Sequence, residues 1–76
     1  MAMPIERKAL RKVIRENPCS LRRLADEAGV SHANLLAASE GRRPVSPQMV
    51  RQVVGVLRRW AHLCNRLAAE LESTVG

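Results

Sequence analysis

LRRLADEAGVSHANLLAASE, residues 21–40, places its small and apolar residues where two short helices joined by a tight bend need them. Ala25 lies one turn before the bend, where only a small side chain lets a second helix cross closely. Gly29 follows Ala28 at the point where the first helix has to stop, and a glycine takes positive φ there without a Cβ clash. Leu24, Ala28, Val30 and Leu35 can all face inward from the two helices. Ser31, directly after the bend, is a good N-cap for the second helix. The spacing predicts a helix-turn-helix over residues 20–40.

Working outward, Ser20 caps a helix from Leu21 to about Ala28, and Ser31 caps one to about Ser39 that Gly41 ends. Upstream, Pro4 suits a first helical turn because its missing N–H costs nothing there. Ile5, Leu10, Val13 and Ile14 then approximate an apolar stripe, and Asn17-Pro18 closes that helix. Downstream, residues 41–45 form a basic loop, after which Ser46 and Pro47 supply an N-cap and a helix-compatible first residue. No proline interrupts residues 47–72. A single helix of roughly 26 residues, about 39 Å long, is therefore open to this segment. Gly55 is its weak point, at about 1 kcal/mol relative to alanine. The sum is four or five helices and no strands, in one domain.

The last segment has a pattern of its own. Val50, Val53, Leu57, Trp60, Cys64, Leu67 and Leu71 follow alternating steps of three and four, the a/d spacing of a heptad seam. Its N-terminal half is expected to close the core over the first three helices. Residues 60–72, with Trp60, Cys64, Leu67 and Leu71, are expected to pair with the same segment of a second subunit. The other arrangement folds the whole stripe back onto its own domain.

A chain of 76 residues makes a small core, which a partner subunit would help to complete. The apolar residues are almost all Ala, Leu and Val, with one Trp and no Phe or Tyr, a mixture that favours helices. No apolar run approaches the roughly 18 residues of a membrane helix, and the opening MAMPIERK lacks the apolar centre of a signal peptide. A cytoplasmic protein is expected. Cys19 and Cys64 match no metal-ligand spacing and are expected to be reduced apolar fillers, with no metal and no cofactor.

Charge narrows the function further. Thirteen basic and seven acidic residues give a net charge of +6. Arg7, Lys8, Arg11, Lys12, Arg15, Arg22 and Arg23 crowd the first 24 residues against only Glu6 and Glu16. A basic surface of this density attracts polyanions and releases counterions on binding. Together with the helix-turn-helix pattern it points to double-stranded DNA.

Residues 20–57, about half the chain, resemble the helix-turn-helix domain of the Cro and lambda-repressor-like (XRE) family. The resemblance rests on Leu24-Ala25, Ala28-Gly29-Val30-Ser31, Leu35, Glu40-Gly41-Arg42-Arg43 and Pro44-Val45-Ser46-Pro47. The Ala-Gly-Val-Ser turn and the Val-Ser-Pro helix start are also similar to the LacI family headpiece, although no sugar-binding domain follows. The first resemblance implies an all-α, lambda-repressor-like domain of a phage- or bacterial-type repressor that binds DNA as a homodimer. It places Ser31, His32, Ala33, Leu36 and Ala37 at the exposed front of the recognition helix, with Asn34 beside them. Relatives usually carry Gln, Ser, Lys or Arg at several of these positions, because reading base edges needs donors and acceptors. Here His32 is the preferred base reader, and Ala33 and Ala37 suit thymine methyl groups. The resemblance also implies backbone contacts for Arg22 and Arg23, in the first turn of the second helix. Arg42 and Arg43 are placed to grip the flanking strand, and the row Arg7, Arg11 and Arg15 to extend the footprint.

Catalysis is not expected. His32 and His62 are the only histidines, and His62 and Cys64, two apart on a helix, point away from each other. The competing reading is a protein-interaction module, or an antitoxin-like partner protein, on the same scaffold. The apolar run Leu36-Ala37-Ala38 is what favours it.

Overall fold

Serine hydroxyls open three of the helices. Ser20 Oγ accepts from the Arg23 N–H at 3.1 Å, Ser31 Oγ from the Asn34 N–H at 3.0 Å, and Ser46 Oγ from the Met49 N–H at 3.0 Å. Each satisfies an N–H that a helix start otherwise leaves without a partner. The computed structural model describes residues 5–75 and, of their side chains, those from Arg7 on. Its elements are α1 (Ile5–Glu16), α2 (Leu21–Ala28), α3 (His32–Ser39) and α4 (Pro47–Val75). No strand occurs among the described residues. The expected start at Pro4 and the placing of the Ile5 side chain lie outside them.

The stops are equally local in origin. Asn17 closes α1 through its side chain: Nδ2 donates to the Val13 and Ile14 carbonyls at 3.1 and 2.8 Å, and Oδ1 accepts from the Cys19 N–H at 3.0 Å. Gly29 ends α2 in the left-handed region at φ 72°, and the Val30 N–H returns to the Ala25 carbonyl at 3.0 Å. Gly41 takes φ 83° after α3. Gly55 does not break α4, which continues through it as a single helix of 29 residues, about 44 Å long.

The core forms where the four helices meet. Leu24 of α2, Leu35 of α3 and Val56 of α4 are fully enclosed, each contributing roughly 1.5–3 kcal/mol of burial. Leu10, Ala25, Ala28, Ala38, Val53 and Trp60 complete the cluster. α2 packs on both α3 and α4, while α1 packs on α3. As expected, the first half of α4 lids the domain, but it does so with Val53, Val56 and Trp60. The heptad reading misses Val56 and has Leu57, only partly buried, in the seam.

Two expectations for α4 need correction. Trp60 is not at a free pairing surface, because it is 8% exposed and packed into its own domain. Cys64 is exposed, so it fills no apolar space within this chain. Beyond Trp60 every residue from 61 to 75 is exposed, and α4 leaves the body as a projecting arm that accounts for the 55 × 23 × 18 Å extents.

Candidate nucleic-acid interface

The turn of residues 29–31 presents the start of α3 outward. Ser31, Ala33 and Asn34 are exposed and His32 is half-buried. Asn34 is held by its backbone N–H to Ser31, which leaves its side-chain amide unspent on the cap. These four residues lie together at the start of α3. Leu36 is half-buried in a groove between α1 and α3, lined by Arg11, Ile14, Arg15, Ser39 and Glu40 beside it.

Ala37 is not at the exposed front. It is only 7% exposed, and its backbone carbonyl is capped from the loop after α3, the Arg42 and Arg43 N–H groups donating to it at 2.9 and 3.3 Å. With so little surface open, Ala37 is not placed to meet a thymine methyl. Ser39, unremarked in the sequence, is buried, and its hydroxyl donates to the Leu36 carbonyl at 2.7 Å. No sequence pattern marks it, since a serine near a helix C-terminus is ordinarily exposed.

The arginines divide into engaged and open groups. Arg23 Nε donates to Glu27 Oε2 at 2.8 Å, and Arg42 pairs with Glu40. Arg15 lies 3.8 Å from Glu16. Arg7 is half-buried with its guanidinium against Gly41, and its Nε has no hydrogen-bond partner among the described residues. Of the seven arginines expected at phosphates, Arg7, Arg11, Arg22 and Arg43 have no described carboxylate within ion-pair distance. Arg11 adjoins α3 directly across the groove, and Lys8, Arg11, Lys12 and Arg15 form one continuous basic face on α1.

Glu27 organises the opposite side. Besides Arg23, its Oε1 accepts from the Trp60 indole N–H at 2.9 Å, and its backbone carbonyl accepts from Arg59 at 3.2 Å. The hydrogen bond from Arg23 and then that from Trp60 hold the Glu27 carboxyl below its ordinary value of 4.5. The same bond to Glu27 raises the already high value of Arg23. Both groups are therefore charged at neutral pH, and Arg23 is partly committed to the α2–α4 junction.

Among the described residues no cluster of His, Cys, Asp or Glu is arranged to hold a metal ion. No described helix is long and apolar enough to cross a membrane. The described residues define an all-helical domain in which the basic face of α1 adjoins the C-terminal half of α3, at Leu36, Ser39 and Glu40. No family model, curated protein or solved structure matches the chain.

Proposed function

We propose that this chain is a sequence-specific double-stranded DNA-binding regulator of the Cro and lambda-repressor-like kind, working as a homodimer. One observation carries the reading: the start of α3, with Ser31, Ala33 and Asn34 exposed and His32 half-buried, belongs to a domain that also carries arginines that no described carboxylate neutralises. Arg11 stands across the groove from α3, Arg22 in the first turn of α2, and Arg43 in the loop that follows α3. An open helix start in a domain that also carries open arginines suits a duplex, where backbone contacts set the register and a few base contacts specify sequence. His32 and Asn34 supply the base-edge hydrogen bonds. The proposed mechanism is steric, with bound protein excluding polymerase or a competitor.

The second reading, a protein-interaction module or antitoxin-like partner, is favoured by Leu36, an apolar side chain left half-open in the α1–α3 groove. Selection from a randomised duplex pool at physiological salt separates the two. Enrichment of an inverted repeat supports the dimeric sequence reader. Retention without a motif reduces the function to electrostatic binding, and no retention favours the protein partner.

A further inference from the structure

The arm of α4 carries an apolar row with nothing packed on it. Leu63, Leu67, Leu71 and Val75, at four-residue steps, are 47, 53, 69 and 85% exposed. Residues at this spacing lie on one face of a helix. Fifteen residues of helix without tertiary contacts are marginal in water, so the row needs a cover.

Charge along the arm says what covers it. Arg66 lies nearer the body, while Glu70 and Glu72 lie toward the tip. Arg66 and Glu70 share one flank of the row, one residue before Leu67 and Leu71, and no ion pair links the two. Two arms side by side in the same direction would set the basic ends together and the acidic ends together. Reversing one arm sets each basic end beside an acidic tip.

We infer that the arm pairs antiparallel with the arm of a second copy, about a two-fold axis at Ala68. That register puts Arg66 opposite Glu70 of the partner subunit, twice by symmetry. It also seats Leu67 between Leu67 and Leu71 of the partner subunit, and Leu63 between Leu71 and Val75 of the partner subunit. Cys64 and Glu72 share the other flank, one residue after Leu63 and Leu71, so Cys64 lies opposite Glu72 of the partner subunit. The two Cys64 thiols stand eight helical positions apart, about 12 Å along the axis, beyond disulfide reach. The pairing rests on the homodimer part of the reading above and fixes its partner segment and orientation.

The test uses the full chain without DNA, so a failure of DNA binding does not touch it, and its own failure leaves the duplex selection to judge DNA binding. Sedimentation over a concentration series is expected to show a monomer–dimer equilibrium that Leu67→Glu shifts to monomer, with helical circular dichroism retained because the site is exposed. In a Cys19→Ser background, mild oxidation is expected to crosslink Glu72→Cys protein through Cys64 and leave the parent uncrosslinked. A monomer at every concentration overturns the inference, as does a dimer that survives Leu67→Glu. Crosslinking of the parent through its two Cys64 residues overturns the antiparallel orientation.

Discussion

The Trp60 indole N–H donates to Glu27 Oε1 at 2.9 Å, joining residues 33 apart in sequence across the α2–α4 junction. The same carboxylate holds Arg23, so one acidic side chain ties the end of α2 to the lid helix and restrains a surface arginine. Truncating Trp60 to alanine removes the last buried residue of α4, at a cost of about 3–5 kcal/mol. That approaches the whole stability of a domain this small. Trp60→Ala is expected to melt near or below room temperature by circular dichroism. Trp60→Phe, which keeps most of the bulk but loses the donor, is expected to lower Tm by much less.

Glu27 also sets an acid limit. Its pKa is lower folded than unfolded, so its stabilising contribution is complete above the ordinary value of 4.5 and is lost as pH falls through the depressed folded value. Thermal melts of the native chain are expected to lose Tm below pH 4.5 more steeply than those of Glu27→Gln. Parallel curves would show that Glu27 is not the titrating link.

The glycines predict changes of opposite sign. Gly29 has φ 72°, and a Cβ there would meet only Gln52 Nε2 at 3.9 Å, so strain rather than collision opposes Gly29→Ala. The expected cost is about 1–2 kcal/mol. Gly55 lies inside α4, where an added methyl would have nothing within 4 Å, and Gly55→Ala is expected to stabilise by roughly 1 kcal/mol. Urea denaturation of both variants checks the pair.

The caps and stops were legible because they are local. Ser20, Ser31, Ser46, Asn17 and Gly29 act within four or five residues of themselves, and the structure uses each at its expected helix boundary. What the sequence did not reveal depends on contacts distant along the chain. Val56 is enclosed because α2 meets α4 on the face of Val53, Val56 and Trp60, a face turned slightly from the 3.5-residue seam. The pairing of Arg23 with Glu27 and of Arg42 with Glu40 is by contrast local, four and two residues apart, and was legible as the alternative to a phosphate contact.

Leu35 and Leu36 are neighbours with different surroundings, one fully buried and one half-open beside Arg11 and Arg15. Leu35→Ala is expected to cost about 2–5 kcal/mol, and Leu36→Ala about 1 kcal/mol. Chemical denaturation measures both. A Leu36→Ala variant as stable as the parent would mean that the side chain is free for a ligand, which strengthens the protein-partner reading.

The open arginines make the DNA reading quantitative. A side chain that neutralises one phosphate contributes about 0.9 to the slope of log affinity against log salt. Arg22→Ala and Arg43→Ala are each expected to flatten that slope by about 0.9 and to weaken binding to all duplexes alike. Arg42→Ala, which also releases Glu40 from its ion pair, is expected to change the slope less. His32→Ala is expected to leave the slope unchanged and to erode discrimination between the selected site and a scrambled one by about 1–3 kcal/mol. Fluorescence anisotropy titrations at several salt concentrations measure both quantities on the same samples. A His32→Ala variant that keeps full discrimination would move base reading away from the start of α3, and an unchanged slope on losing Arg22 and Arg43 together would remove the phosphate contacts assigned to them.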